Sequence, residues 1–542
     1  MSSNVTAYSR SSWFPKEIKS LRIPLFVAIT YYLGAEAAFE IGTLSDRIFA
    51  PFWPPNIVLF CTLLLVPKRQ WWLYIVAIFP AHVIAEVAVG MPLAQLLVAF
   101  ATNCAVAILN AVGVRWLLKQ PPWFATLRAA SIYILITAGI GPAIAAFGGA
   151  FVQILGGVRM ADYWMCWGNW FMANALGSAT LGPVFLTWFS GDPRAERLNR
   201  RRKAEAFILA ITLGAVCAVA FQVRLGTTEP GFLPALLYSP LPLILWAAIR
   251  FGQRGASGAI LVVTVVSIWQ NLHESAMFIN SSPERNVLAL QVFLMGVAVP
   301  IFFLGAAIDE VRRSGEKTRE LTGALLRAQD EERRRIARDL HDSTGQNLVV
   351  AGLIVDRLRR TVPQASESFT AELDEILQRS ISEIRTVSYL LHPPLLDERG
   401  LDAALHSYAA GFSKRTGMTV DLDLSSDVER LSPDVELVLF RVVQESLTNV
   451  WRHSGSRTAR IQLARKVPTA GNQIVLSIED FGKGIPKHIR LSALSNGDAS
   501  QVVPVGLGLA SMRERLHQIG GYLEMDSAPG KTVIRAIVTL DS

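Results

Sequence analysis

The sequence predicts a multidomain protein: a polytopic α-helical membrane domain, an α-helical hairpin that forms a four-helix bundle in the dimer, and an α/β sandwich. Residues 1–307 contain repeated apolar runs of membrane-spanning length, residues 308–395 show helical apolar periodicity, and residues 433–540 alternate helical with strand patterns. A chain of 542 residues also exceeds what one hydrophobic core supports.

Four segments follow from these patterns. We expect a membrane domain over residues 1–307, a linker helix over 308–330, a dimerising hairpin over 331–395 and an α/β domain over 396–542. Pro363 is predicted to mark the turn of the hairpin, and Pro393-Pro394 to end its second helix near Leu391.

The membrane domain is predicted to cross the bilayer eight to ten times. The ten candidate spans are about 22–42, 52–67, 71–89, 94–114, 129–152, 164–189, 205–223, 232–249, 256–272 and 286–307. The loops on one side hold 17 Lys and Arg, whereas those on the other side hold 4. The positive-inside rule therefore predicts that the N-terminus and residues 308–542 lie in the cytoplasm.

The charge is divided unequally along the chain. Residues 1–307 hold 21 Lys and Arg against 12 Asp and Glu, whereas residues 308–542 hold 31 against 32. The net charge of +8 therefore comes from the membrane part, and this argues against nucleic-acid binding by the nearly neutral soluble part. We expect membrane lipid to surround residues 1–307.

Ionisable groups within the spans are costly and therefore indicate function or mutual pairing. Glu36 and Glu40 are four residues apart, as are His82 and Glu86, so each pair is predicted to share a helix face. Binding of a ligand or signal and pairing within the bundle both stay open for these groups. For the asparagines we favour pairing; they are Asn103, Asn110, Asn169 and Asn174.

A charged helix carries the most informative residue, His341. Its neighbour Asp342 is suited to accept or orient an imidazole proton while the other ring nitrogen attacks a phosphoryl group. Gln346, one turn further on, is suited to position a water against a phosphorylated partner. The alternative is a solvated coiled-coil face that contains a histidine by chance.

Three short motifs downstream suggest a nucleotide site. Glu445 and Asn449 are one helical turn apart and suit Mg²⁺, and Arg452 and His453 follow as cations for phosphates. Asp480 is suited to accept from an adenine amino group, and the backbone at Gly482 and Gly484 is suited to pass close to the base. Residues 490–505 are predicted to form a lid, followed by Gly506 and Gly508 at the start of a phosphate-facing helix.

The order and spacing of these motifs resemble the N, G1 and G2 boxes of the GHKL ATPase fold. No Walker-type phosphate loop is found in the sequence. The turn Pro529-Gly530-Lys531-Thr532 lacks a glycine that this family often has before the threonine. The resemblance implies ATP and Mg²⁺ as cofactors and includes Thr532 among the ATP-binding residues.

The membrane part resembles the MASE family of membrane-associated sensor domains. The matching stretches are Phe52-Trp53-Pro54-Pro55-Asn56 and Trp170 through Asn174 to Pro183. That family is usually drawn with about eight spans, so the extra pair is a departure. The resemblance implies signal sensing with an unknown stimulus.

Residues 320–542 closely resemble sensor histidine kinases in which an aspartate follows the phosphoacceptor histidine. The matching residues are Glu331 to Gln346, Leu391-His392-Pro393-Pro394 with Gly400-Leu401, and the three motifs of the nucleotide site. The resemblance implies a homodimer in a bacterial inner membrane that autophosphorylates His341. It also implies transfer to an aspartate of a response regulator, usually with a helix-turn-helix output, and a phosphatase activity through Asp342 and Gln346.

Two other classes of function stay open at this point. One is a non-catalytic receptor whose GHKL domain binds nucleotide only to report conformation. The other is a transporter with a regulatory ATPase tail, which ten spans would permit. The combination with a MASE-type domain is similar to the hexose-phosphate uptake sensors, but other ligands are equally open.

Overall fold

Two structural units divide the chain, Met1–Arg313 and Ser314–Ser542. The computed structural model describes residues 22–44, 52–119, 124, 126–189, 199–221, 236–272, 283–361, 367–425, 427–466, 472–485 and 507–540. Each unit has its own hydrophobic core.

The first unit is α-helical throughout its described residues. Its helices are α1 (Arg22–Leu44), α2 (Pro54–Leu65), α3 (Trp71–Ala88), α4 (Leu93–Leu118), α5 (Leu127–Ile134), α6 (Gly141–Leu155), α7 (Tyr163–Trp188), α8 (Arg200–Ala220), α9 (Leu241–Leu272) and the start of α10 (Pro283–Asp339). A π-helical turn, Leu135–Ile140, joins α5 to α6.

Six helices among the described residues are long and apolar enough to cross a membrane, fewer than the eight to ten expected. The segment predicted at 52–67 forms only the 12-residue α2, because Pro54-Pro55 begin it and Pro67 follows it. The segments predicted at 22–42 and 164–189 form α1 and α7, which are not among the six.

The span predicted at 256–272 and residues 241–249 of the span predicted at 232–249 fall in the helical segment α9, whereas residues 232–235 lie outside the described residues. Gly252 interrupts this segment with φ 60° and ψ −143°, a conformation that side chains rarely adopt. The break at Gly252 separates two helical stretches, one in each of the two predicted apolar runs.

Ends of several helices meet at one end of the membrane unit. These ends belong to segments that the charge rule predicts to be cytoplasmic, and polar bonds join them: Leu127 N to Glu310, Arg254 to Thr187 O, Arg250 to Glu205, Gln253 N to Asp309, and Arg312 to Ile249 O. Acidic side chains accept at the helix starts, and Arg312 donates to carbonyls before the break at Gly252, as the helix dipoles favour. The contacts therefore agree with the predicted sidedness of these loops.

The second unit begins in α10 and contains a helical hairpin and a mixed sheet. Its further elements are α11 (Gln346–Thr361), α12 (Glu367–Leu391), α13 (Pro394–Arg399), α14 (Leu401–Thr416), β1 (Thr419–Leu424), α15 (Pro433–Asn449), β2 (Thr458–Lys466), β3 (Asn472–Asp480), α16 (Leu507–Gln518), β4 (Tyr522–Ala528) and β5 (Lys531–Leu540). α11 and α12 end near Pro363 and Pro393, as predicted.

The hairpin leaves an apolar stripe exposed. Val355 and Leu377 are buried within the chain, but other large apolar side chains of α11 and α12 face outward: Val349, Val350, Leu353, Ile354, Leu358, Leu373, Ile376, Val387 and Leu390. Exposed apolar rows at helical spacing are typical of a surface that pairs with another helix.

The sheet has the strand order β1-β2-β3-β5-β4, with β1 and β2 parallel and the other pairs antiparallel. α14, α15 and α16 cover one face, and their apolar residues form one core with the inward side chains of the strands. This is the predicted α/β sandwich. The register pairs Asp480 with Thr532, so the end of β3 lies beside the start of β5.

Candidate functional site

His341 lies in a π-helical turn, Leu340–Gly345, between α10 and α11. Its side chain is 60% exposed, and Nδ1 lies 2.8 Å from Asp342 Oδ1. An ionised carboxylate only accepts hydrogen bonds, so Nδ1 of a neutral ring carries the proton and the free lone pair is on Nε2. Within the described residues Nε2 has no bonding partner, and the side chain as a whole is largely exposed.

Gln346 is the first residue of α11, directly after the π turn. Its side chain is exposed, as are those of His341 and Asp342. The three residues predicted to act together therefore lie on one short segment that is open to solvent and to a partner protein.

α15 carries the first motif of the predicted nucleotide site. Glu445 and Asn449 are half-buried on this helix, four residues apart. Such residues are neighbours on a helix surface, about 5–6 Å between Cβ atoms. A π turn, Val450–Ser454, continues the helix and presents Arg452 and His453, both exposed.

Gly508, near the start of α16, lies against Glu445. A Cβ atom at position 508 would overlap Glu445 Oε1, so any larger residue would require the Glu445 carboxylate or the start of α16 to shift. The contact brings the start of α16 next to the carboxylate and amide of α15. Gly506 and the predicted lid at 490–505 lie outside the described residues.

Asp480 occupies the end of β3 and is buried. One carboxylate oxygen accepts a 2.9 Å hydrogen bond from Gly482 N. Burial raises the pKa of Asp480, while this bond and the Ser454 hydroxyl act in the opposite direction. The carboxylate keeps acceptor capacity for a ligand amino group.

Backbone contacts hold the loop after Asp480. Lys483 N donates to Ser454 O at 3.0 Å and Gly530 N donates to Gly482 O at 2.9 Å. A Cβ at 482 would overlap Ser454 O, which explains the glycine. Gly484 has φ +81° and lies against Ala528 O.

Two hydroxyl groups complete this end of the sheet. Ser527 Oγ and the buried Thr532 Oγ1 lie 3.0 Å apart, and Ser527 Oγ accepts from Ile485 N at 2.8 Å. Sequence reasoning identified Thr532 but missed Ser527 and Ser454, since a serine at a strand or helix end carries no distinctive pattern. The structure thus brings the second motif and Thr532 together.

His82 and Glu86 lie close together inside the membrane unit. His82 Nδ1 is 3.8 Å from Glu86 Oε1, and both side chains are buried. Glu36 is half-buried and Glu40 is exposed, so α1 does not bury its acidic pair. Burial therefore distinguishes the pair His82 and Glu86 from the pair Glu36 and Glu40.

Buried asparagines bond across three helices. Asn56 Nδ2 donates to Asn103 Oδ1 at 3.0 Å and to Asn174 Oδ1 at 2.8 Å. These bonds are the inter-helix pairing expected for Asn103 and Asn174. Asn110 differs, because its Oδ1 is buried without a described partner and lies against Gly141.

Three family models match successive parts of the chain. Residues 24–312 match MASE1, residues 332–396 match a histidine kinase model, and residues 434–542 match the histidine kinase-, DNA gyrase B- and HSP90-like ATPases. These matches define a membrane sensor domain followed by the two domains of a histidine kinase, which confirms the predicted resemblances. The first match covers more than half of the sequence, so the chain belongs to the MASE1 family.

Several curated sensor histidine kinases are similar to this chain. Sensor histidine kinase MctS of Rhizobium johnstonii is 32% identical over 232 residues, 42% of this chain and 48% of MctS. Oxygen sensor histidine kinase NreB of Staphylococcus carnosus is 30% identical over 41% of this chain and 59% of NreB. The histidine-protein kinase/phosphatase UhpB of Salmonella typhimurium is 25% identical over 67% of this chain and 71% of UhpB. The chain thus spans about half the length of MctS.

Proposed function

We propose that the protein is a membrane-bound sensor histidine kinase that transfers the γ-phosphoryl group of ATP to His341 and then to an aspartate of a response regulator. The observation that carries the proposal is the bond from His341 Nδ1 to Asp342, which leaves the lone pair of Nε2 free as a nucleophile. The matches to the histidine kinase and ATPase families supply independent support.

The chemistry assigns one role to each group around His341. Nε2 donates its lone pair to the γ-phosphorus as the bond from phosphorus to the ADP oxygen breaks. The ring then becomes a phosphoimidazole whose positive charge is balanced by Asp342, which holds the Nδ1 proton. ADP leaves with the electron pair of the broken bond.

ATP would bind between the ends of α15, α16 and β3. Asp480 accepts from the adenine amino group, with Gly482, Gly484 and Thr532 beside the base, and Arg452 and His453 contact phosphates. Glu445 and Asn449 offer a carboxylate and an amide oxygen, a donor set that fits Mg²⁺, which when bound neutralises phosphate charge. Gly508 lies at the start of α16, where the helix dipole favours negative charge and phosphates would bind, and Gly506 stays a predicted member of the same site.

The hairpin is proposed to dimerise through its exposed apolar stripe. Two copies of α11 and α12 would bury this stripe in a four-helix bundle. The nearly neutral charge of residues 308–542 argues against direct nucleic-acid binding. A response regulator with a helix-turn-helix output would supply the contact with DNA.

The proposed location is a bacterial inner membrane, with lipid around residues 1–307 and the N-terminus and catalytic domains in the cytoplasm. The loop charges, 17 against 4, support this orientation. The bonds among the predicted cytoplasmic helix ends support it as well. His82 and Glu86 are the proposed signal residues, since both are buried and ionisable within the membrane unit.

Labelling of His341 tests the proposal. The full chain in lipid nanodiscs, incubated with γ-labelled ATP, should acquire an acid-labile phosphoryl group, and His341→Gln should acquire none. Label that persists in His341→Gln would disprove the assignment. Nucleotide binding without any label would favour the non-catalytic receptor, and solute flux without labelling would favour the transporter.

Gln346→Ala should separate the forward and reverse activities. Autophosphorylation should persist, because Gln346 has no part in the attack of Nε2 on ATP. Dephosphorylation of the partner should slow, by 10²–10⁴-fold if the side chain positions a water as general acid–base groups do. Autophosphorylation is measured as the rate at which the kinase gains label, and dephosphorylation as the rate at which the phosphorylated regulator loses it. Equal loss of both rates would contradict these roles.

A further inference from the structure

Asp330 lies on a buried face of α10 within the second unit. The buried positions on this stretch are Gly323, Leu326, Asp330 and Ala337, which recur at intervals of three, four and seven residues. This spacing gives a continuous helix face. The Asp330 side chain is nine-tenths buried, which is unusual for a carboxylate and requires partners of opposite charge.

Each carboxylate oxygen of Asp330 has its own arginine. Oδ1 accepts from Arg441 Nε at 3.0 Å, and Oδ2 contacts Arg515 Nη1. Both arginine side chains are also at least nine-tenths buried. Arg441 donates in addition to Leu391 O at 2.8 Å, at the end of α12.

The two arginines lie on the two helices that carry the nucleotide motifs. Arg441 is one turn before Glu445 on α15, about 6 Å along the axis, and Arg515 is seven residues after Gly508 on α16, about 10 Å. Ser446 Oγ and Met512 Sδ, 3.5 Å apart, also join the two helices, next to Glu445 on α15 and between Gly508 and Arg515 on α16. The helices therefore run antiparallel, with the Asp330 contact towards one end and the Gly508–Glu445 contact towards the other.

The electrostatics make this bridge hard to replace. Burial is the main cause that lowers the pKa of Arg441 to about 10, and burial also lowers the pKa of Arg515. Both guanidinium groups remain charged at neutral pH. Without the carboxylate, two buried like charges would face each other, which is strongly unfavourable for a buried ionic network.

We propose that Asp330 is a positioning residue for the nucleotide site: it fixes α15 and α16 relative to each other and joins both to α10. A displacement of α10 would then act on the gap between Glu445 and Gly508 through the same helix pair. This inference rests on the proposed binding of ATP at that gap.

Thermodynamic linkage makes the effect reciprocal. If the state of α10 changes nucleotide affinity, bound nucleotide must change the stability of α10 by the same free energy. The effect of bound nucleotide on the stability of α10 can be measured without any phosphorylation. A general loss of packing would not produce this ADP-dependent change.

Asp330→Asn tests the inference in the full chain in nanodiscs. We expect ADP to bind about tenfold more weakly by calorimetry, within the usual range of coupling between sites. In the wild type, ADP should slow hydrogen exchange over residues 320–337, and this response should be lost in the variant. Glu332→Gln is the matched control, since it makes the same chemical change at an exposed position of α10.

A double-mutant cycle identifies the bridge as the cause. Asp330→Asn combined with Arg515→Gln should weaken ADP binding by less than the product of the two single effects, because the double variant removes one of the facing charges. The inference would be overturned if the two single effects on ADP affinity multiplied in the double variant, or if Asp330→Asn bound ADP with wild-type affinity. Failure of the wild type to bind ADP would instead overturn the proposed function.

A second variant is used if Asp330→Asn does not fold. Asp330→Glu keeps the charge but lengthens the side chain by one methylene, so the folded variant should show a weaker ADP affinity than Glu332→Gln. Affinity equal to that of the control would overturn the inference as well.

Discussion

Asp342→Asn is expected to slow autophosphorylation of His341 by about 10²–10⁴-fold, the range for loss of a positioned acid–base group. The 2.8 Å bond from His341 Nδ1 to Asp342 fixes the ring proton and the free lone pair of Nε2. An asparagine lacks the charge that balances the imidazolium formed as phosphorus is attacked. The initial rate of acid-labile labelling at saturating ATP measures the effect.

The control for this variant is Asp339→Asn. It removes the same charge from an exposed carboxylate on the same stretch of helix, and within the described residues Asp339 has no bonding partner. Labelling should then stay near the wild-type rate, and ADP affinity should be unchanged in both variants. A similar loss of rate in the two variants would mean that local charge, rather than the bond to His341, controls the reaction.

Gly508→Ala is expected to reduce autophosphorylation about a hundredfold. The added Cβ would overlap Glu445 Oε1, so the carboxylate or the start of α16 must move by about 1 Å, a displacement that can cost this much in rate. Affinity for Mg²⁺-ADP should fall too, because Glu445 is proposed to hold the metal. Calorimetry with and without Mg²⁺ separates the metal-dependent part of the ADP affinity from the rest.

Gly411→Ala provides the comparison within the same domain. Its Cβ would meet only the flexible end of Arg415 on α14, so folding and labelling should be preserved. Thermal unfolding of both variants shows whether Gly508→Ala still folds. A folded Gly508→Ala with full activity would remove Glu445 from the metal site.

Local features of the soluble unit were predictable because proline and periodicity determine them. The second hairpin helix was expected to follow a turn at Pro363 and to end near Leu391, and it is Glu367–Leu391, since a proline lies beyond each end. Helices and strands were also expected to alternate over residues 433–540, and β2 to β5 lie there between α15 and the end of the described residues, because their apolar residues alternate or run together between turns.

Contacts between distant positions were not predictable from the sequence. Asp330 lies 111 positions from Arg441 and 185 from Arg515, and no local sequence pattern connects residues so far apart. Asn56 bonds Asn174 across 118 positions. Residue type indicated that such groups need partners, but only the fold determines which partners they have.

The membrane unit shows a second limit. Apolarity predicted where many of the helices lie, and six helices among the described residues are long and apolar enough to cross a membrane, while prolines shorten α2. The number of eight to ten spans stays a prediction. The orientation predicted from loop charge depends little on where each helix stops, and it stays a prediction.

The π turn at Leu340–Gly345, which contains His341, is wound differently from the α-helices on either side of it. Such a turn contains one residue more than an α-helical turn, and each residue of a helix advances about 100° around the axis. Conversion of this turn to α-helix would shift the phase of the helix by one residue without breaking the chain of hydrogen bonds. His341 therefore lies where a small change in helical winding would turn its side chain to another direction around the helix axis.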